Sequence, residues 1–330
     1  MKDGPGTVAI GLAIPTRDRP EFLAETIQSV LAGSRVPEEL YVVDNSQKNP
    51  SATEEVCRRF GSAVRYLAPV GNLSMQNNHN RALRSIHGEL ACVLHDDDVY
   101  GPTFLERGEC ELLLHPEADL FAVNYAVIDE HGATLTTRCW SDFPAGMLRP
   151  VEFLSHAMRN RSPIHLSASV MRAGAAKQCS LAEPDGNCAD MGFFFQLTAR
   201  TTSILLDEPL VSIRVHGGME SAQAGFFFGG KRRSSVLPLA PLEFRTKDRF
   251  LQSADAAQAL GEELPGLRRA AASTAIKHLV RDMRSRALPI GERLRLAQAA
   301  AVLVPVALVP VALRGRATRP SGAQANGVGR

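Results

Sequence analysis

Four short apolar runs, each breaking off into polar residues and each followed by a stretch of helical periodicity, restrict what this chain can fold into. Residues 8–14, 40–43, 64–67 and 90–94 are rich in Val, Ile, Leu and Ala and too short for helices, so they read as buried strands. After the first run, Pro20 opens a stretch in which Phe22, Leu23, Ile27, Val30 and Leu31 recur near a 3.6-residue spacing up to Gly33. Helices are expected again over 54–60, between Gly71 and Gly88, and over 104–114. Strand, helix and strand in this order make a βαβ unit, which calls for a parallel sheet with right-handed crossovers. Pro15 is expected to stop the first strand.

The fourth run is followed at once by Asp96, Asp97 and Asp98. Three carboxylates at the end of a buried strand are costly to desolvate. In α/β sheets the rim beyond the carboxyl ends of parallel strands is where ligands bind, and a bound cation offsets repulsion among acids. A solvated acidic turn with Asp96 capping the next helix is the plain alternative. With four strands running the same way, the acids share one rim with Thr16, Arg17 and Asp44.

At 330 residues the chain can bury a full core. Its net charge of +2 is too small for a general nucleic-acid binder, so no nucleic-acid partner is expected. The six cysteines are scattered without a C-x-x-C pair, which indicates neither a zinc cage nor a disulfide framework and fits a reducing cytoplasm. Residues 1–7 are expected to be disordered and carry no apolar run of the secretory kind.

The segments 13–19, 42–46, Gly71-Asn72 with Asn77, Asn80 and Arg81, Gly88-Glu89, and 94–98 together resemble the nucleotide-sugar-binding half of family-2 glycosyltransferases. The resemblance spans residues 8–216 and implies a GT-A fold, a mainly parallel α/β sheet between helices. It implies that Pro15 and Thr16 lie against the donor nucleoside, that Asp44 accepts from the base, most often uracil, and that Arg81 or Asn77 approaches the base or phosphates. The aspartates would form the metal-binding D-x-D, with Asp98 the ligand of Mg²⁺ or Mn²⁺ and Asp96 or Asp97 contacting the sugar or ribose. His95 stands where many relatives carry the first Asp of this motif. Independently of resemblance, breaking a sugar–diphosphate bond needs the leaving group's charge stabilised, and a divalent ion on carboxylate oxygens does that.

Further along, residues 120–128 and 134–139 read as a hairpin around a turn at 129–132, residues 150–158 as a helix, and 167–171 as a strand. Trp140, the only tryptophan, reads as core or lid packing, with stacking on an acceptor sugar as the alternative. Asp190 precedes an apolar helix, where it can be an N-cap; the resemblance implies a general base toward the acceptor hydroxyl, although Ala189 replaces the usual Glu. Glu183 and Asp185 are the substitutes. Arg214 and His216 resemble the family's closing Arg-x-His, with Arg214 on the donor side and His216 a metal or diphosphate contact.

Residues 217–240 are expected to be a flexible loop or lid whose Lys231, Arg232 and Arg233 meet the diphosphate. Residues 241–314 form a helical appendage, with helices at 243–260, 267–286 and 291–303, and 315–330 a disordered tail. The apolar stretch 296–313 is interrupted by Pro305 and Pro310 and flanked by arginines, so it reads as an interfacial segment on the inner face of the plasma membrane rather than a true span, with a buried or homodimer-forming helix as the further reading. The expected reaction is inverting transfer from a nucleoside-diphosphate sugar, UDP-type, to a sugar, lipid-linked or small-molecule acceptor. A nucleotidyltransferase and a non-catalytic GT-A-like scaffold are the competing classes.

Overall fold

In the computed structural model, residues 8–48, 50–160, 162–217, 239–283 and 298 are described. The segment expected to be a lid, with Lys231 to Arg233, the helix expected over 291–303 and the apolar stretch 296–313, both apart from Gln298, and the two termini lie outside them. The four apolar runs are strands: β1 Ile10–Thr16, β2 Glu39–Asp44, β3 Arg65–Leu67 and β4 Leu90–Val93. They pair in parallel in the order β3-β2-β1-β4. β1 is buried along its whole length because it lies between β2 and β4, with helices packed on the sheet.

Pro15 does not stop β1. The strand runs on to Thr16, and Pro15 stands opposite Val43 of β2. The last β1–β4 pair is Ala13 with Val93, and Leu94 N donates to Ala13 O at 3.0 Å. Backbone groups two residues apart face the same neighbour, so the missing Pro15 N–H points past the end of β4 and costs no ladder bond.

Helix α1 Pro20–Leu31 buries Leu23, Thr26, Ile27 and Val30, with Pro20 in its first turn where an amide has no intrahelical partner. Helix α2 Pro50–Arg58 begins earlier than expected. Helix α3 Met75–Ser85 is capped by Ser74, whose side chain accepts from Asn77 N at 3.2 Å. A two-residue strand, β5 Val99–Tyr100, follows the acids, then α4 Phe104–Leu114 as expected.

Beyond β4 the sheet becomes mixed. Strand β6 Ala118–Ile128 pairs with the returning β7 Thr134–Thr136, and β8 Gly146–Leu148 precedes α5 Pro150–Arg159. Strand β9 Ser169–Arg172 is antiparallel to both β4 and β6. After the short α6 Ala173–Ala176 and α7 Ala189–Thr198 comes β10 Thr202–Arg214, one irregular strand parallel to β6. The full order is β3-β2-β1-β4-β9-β6-β10-β5, with β7 on β6 and β8 on β10.

The helix expected over 243–260 is two: α8 Leu239–Leu251 and α9 Ala254–Leu260. Ser253 breaks it by capping α9, its hydroxyl accepting from Ala256 N at 3.2 Å. Helix α10 Leu264–Met283 follows. Phe244, Phe250, Leu251, Leu267 and Leu279 from these helices share one apolar cluster with Phe153 of α5 and Phe193, Phe194 and Phe195 of α7. The C-terminal helices are thus joined to the helix that carries Asp190. No described helix is long and apolar enough to cross a membrane.

Candidate functional site

A cleft of about 1040 Å³ opens at the carboxyl ends of β1 and β4. Its wall includes Pro15, Thr16, Arg17, Asp97, Asp98, Asp190 and His216, gathered from both ends of the first 216 residues. Asp96 lies just behind the wall at 0% exposure. Asp44 and Arg214 are likewise buried, and together with Asn77 and Arg81 they lie off the cleft surface.

Each buried acid is held by specific donors. Asp96 accepts from Thr16 Oγ1 at 2.5 Å and meets Arg19 Nη2 at 2.6 Å. Asp97 Oδ2 lies 3.0 Å from Arg19 Nη1 and 3.0 Å from His216 Nε2. Asp98 accepts from Ser167 Oγ at 2.6 Å and from the Arg214 backbone amide at 2.9 Å. Thr26 Oγ1 ties the turn to α1 through the carbonyls of Asp96 and Asp98, at 3.0 and 2.9 Å.

Desolvation pushes the Asp96 carboxyl up to about 6 despite Arg19, and it pushes Asp98 well above the ordinary carboxylate range. Desolvation acts on Asp97 too, but the His216 bond and Arg19's charge outweigh it and hold that carboxyl down at about 2.

Arg214 is 1% exposed, and its guanidinium holds backbone rather than cleft: Nε donates to Asp97 O at 2.9 Å, Nη1 reaches the carbonyls of Asp129 and Glu130, and Nη2 meets Glu25 Oε2 at 2.6 Å. Asp44 accepts from Ser46 N at 2.7 Å and Tyr66 OH at 2.8 Å, while Arg81 donates to the carbonyls of Asp44 and Ala68. Asn77 bonds Glu183 Oε1 at 2.8 Å.

Asp190 sits inside the first turn of α7 rather than ahead of it, and its carboxylate accepts from the neighbouring Met191 N at 2.7 Å. Cys188 holds the N-cap position, and Asp190 satisfies one of the free amides of the first turn. Burial pushes its carboxyl up to about 6, the range in which a carboxylate can accept a proton near neutral pH. Asp185 is committed elsewhere: it is 2% exposed, accepts from Thr246 Oγ1 of α8 at 2.8 Å and pairs with Arg249.

Three cleft features escape sequence reading. Arg19 bridges Asp96 and Asp97, although nothing in its spacing distinguishes it from Arg17. Lys48 lines the cleft from the loop after β2, where Asp18 Oδ1 accepts from the amides of Gln47 and Lys48. Asp18 itself has φ 54°, a left-handed conformation uncommon outside glycine. His79, His95 and His165 stack edge to face, with ring centroids 5.1 and 4.8 Å apart. Desolvation pushes His79 and His165 down to about 4 and His95 well below its usual value, so the three rings are neutral at neutral pH.

Residues 5–204 match the family described as Glycosyltransferase like family 2. Two curated proteins, each named an uncharacterized glycosyltransferase, from Rickettsia felis and Rickettsia conorii, are 27% identical over 128 residues, covering 38% of this chain. The match spans about a fifth, 21%, of their own length. Among solved structures, S. aureus TarS 1–349 in complex with UDP-GlcNAc superposes with a TM-score of 0.65 at 14% identity, over 91% of this chain and 81% of that one. Full TarS gives 0.59 at 15% identity, over 92% and 49%. The α/β sheet with flanking helices is the GT-A fold.

Proposed function

The chain belongs to the glycosyltransferase-like family 2, and from that membership we propose that it moves a sugar from a nucleoside-diphosphate donor to an acceptor hydroxyl with inversion. The observation that carries this reading is that Asp190, Asp97 and Asp98 line one cleft, together with Arg17, Arg19 and Lys48. Cationic side chains beside the acids suit a diphosphate, and a raised carboxyl across the cleft suits a base. UDP-GlcNAc bound to the structurally similar TarS supports a UDP-type donor.

A divalent ion fits the residues present. Asp98 is 1% exposed, and among the described residues no lysine or arginine side chain pairs with it, so a buried carboxylate lacks a counter-charge. Asp98, with His216 beside Asp97, would hold Mg²⁺ or Mn²⁺. When bound, the ion would supply positive charge against the departing diphosphate.

The chain's own residues do the rest. Arg19, fixed by Asp96 and Asp97, presents its guanidinium to the donor phosphates. Asp190 takes the acceptor's hydroxyl proton as the acceptor oxygen bonds to the anomeric carbon. The bond from that carbon to the diphosphate oxygen breaks on the opposite face, which inverts the centre. Trp140 and Tyr125 form the adjoining aromatic wall, where an acceptor ring can stack.

A screen of nucleotide sugars with Mn²⁺, read as release of nucleoside diphosphate, tests the proposal. Turnover of a UDP-sugar, lost in Asp190→Asn, is expected. Absence of both turnover and calorimetric binding across UDP-, GDP- and dTDP-sugars would overturn it.

A further inference from the structure

Asp98 faces two imidazoles instead of a cation. His95 Nδ1 lies 3.8 Å and His165 Nδ1 3.9 Å from Asp98 Oδ2, and the three ligand atoms all lie within 4.8 Å of one another. They come from two segments: the turn between β4 and β5, which carries both His95 and Asp98, and the loop before β9. One residue organises them. Ser167 donates its hydroxyl to Asp98, its backbone amide to His165 Nδ1 at 3.3 Å, and its hydroxyl oxygen accepts from His95 N at 3.1 Å. The amide bond sets the His165 ring with its Nδ1 lone pair on Ser167 N, so an ion at Nδ1 would take the place of that bond.

Burial is graded in the way a metal pocket requires. The Asp98 side chain is 1% exposed, while those of His95 and His165 are 28% and 19% exposed and line the cleft, so an ion can enter past the rings. Ligand atoms around one ion stand ~3.0–3.4 Å apart at bond lengths near 2.1 Å. Side-chain rotation would have to close the gap that remains from 3.8 and 3.9 Å.

We propose that His95, Asp98 and His165 form a mixed nitrogen–oxygen site for a borderline divalent ion, selecting Mn²⁺, Co²⁺ or Zn²⁺ over Mg²⁺. Imidazole nitrogen favours these ions, whereas Mg²⁺ takes oxygen ligands. This deepens the reading of the cleft as a cation-assisted transferase site and rests on that reading for its role, while the ligand set stands on geometry alone.

Calorimetry of the full chain with Mn²⁺, Co²⁺ and Mg²⁺, without donor, tests it, alongside the visible absorption of the Co²⁺ form. One Mn²⁺ or Co²⁺ should bind about tenfold or more tightly than Mg²⁺. His95→Gln and His165→Gln should each weaken Co²⁺ by about tenfold or more and alter its spectrum, while His131→Gln, on the exposed hairpin tip, should not. His95→Asp should narrow the preference over Mg²⁺ by replacing nitrogen with oxygen. Circular dichroism identifies a variant that fails to fold, and Ser167→Ala, which leaves all three ligands in place, then serves as the second variant and should weaken Co²⁺ less than loss of a ligand does. Equal Mg²⁺ and Mn²⁺ affinity, no uptake of any of the three ions, or folded histidine variants that bind Co²⁺ as the wild type does, would overturn the inference. Sugar transfer with ion preference unmoved by these variants would sink the histidine site and spare the transferase. Histidine-dependent Co²⁺ binding without uptake of any nucleotide sugar would do the reverse.

Discussion

The two walls of the cleft are built differently. On the β4 side every acid is tied to named donors from other elements: Asp96 to Thr16 and Arg19, Asp97 to Arg19 and His216, Asp98 to Ser167 and Arg214 N. On the α7 side, Asp190 accepts from its neighbour's amide, and its position is set at one remove. Asp185 packs on α7, where a Cβ at Gly192 would collide with its carboxylate, and Thr246 and Arg249 of α8 hold Asp185 in turn. Ring contact between Phe195 and Phe250, centroids 5.3 Å apart, joins the same two helices. A wall that must hold concentrated charge needs direct hydrogen bonds, since each buried carboxylate left without them costs several kcal/mol. A wall that must accept a proton needs the opposite, a carboxyl without strong donors, because donors would lower its affinity for the proton.

The largest expected effect separates the two walls outright. Asp190→Asn should lower kcat by about 10³ while leaving donor affinity unchanged, whereas Asp98→Asn should remove ion-dependent nucleotide binding. Stopped turnover and calorimetry read the two. If Asp190→Asn weakened donor binding as much as Asp98→Asn, the division of labour would be wrong.

Arg214→Ala comes next. Deleting a side chain that neutralises no cleft acid but joins Asp97 O, Glu25 and the hairpin carbonyls should cost about 3–5 kcal/mol in urea unfolding, because buried partners are left unsatisfied. A loss of activity without loss of stability would instead place Arg214 on the donor.

Arg249→Ala probes the indirect brace. Turnover should fall about tenfold with donor affinity intact, the expected cost of a small displacement of a base. Equal loss in donor affinity would show that α8 supports both walls.

The pH dependence sharpens the same contrast. Asp190 must be ionised to act, so kcat should rise with pH through about 6 and level above it. The stability sign runs the other way. A carboxyl raised by burial contributes stability that is full below its unfolded value and is lost as pH rises through about 6, so Asp190→Asn should melt no lower than the wild type at pH 8. A lower melting temperature there would mean that Asp190 has a structural bond not accounted for by Met191 N.

The smallest effect is Trp140→Ala, which should raise the acceptor KM a few-fold, in keeping with one aromatic contact of about 1 kcal/mol, and leave kcat in place. No change in acceptor KM would return Trp140 to plain packing.

What could be read from the chain alone is what local patterning encodes. Apolar runs too short for helices, each broken by polar residues, specify buried parallel strands and place Thr16, Asp97 and Asp98 at one rim, since a strand that ends there must expose its next residues there. Pro20 and Ser74 mark helix starts by chemistry internal to a turn. The strands Val99–Tyr100 and Gly146–Leu148 carried no such signal, because two or three residues have no periodicity and are held by their antiparallel partner β10.

Tertiary structure alone decided which charges meet. Arg19 rather than Arg17 bridges the acids, Arg214 turns inward to hold carbonyls, Asp185 is spent on α8, and His165 arrives beside His95 and Asp98. These contacts join residues up to 117 apart in sequence, so no spacing rule reaches them. They are settled by desolvation, which obliges each buried charge to find whichever partner the packed sheet brings within bonding distance.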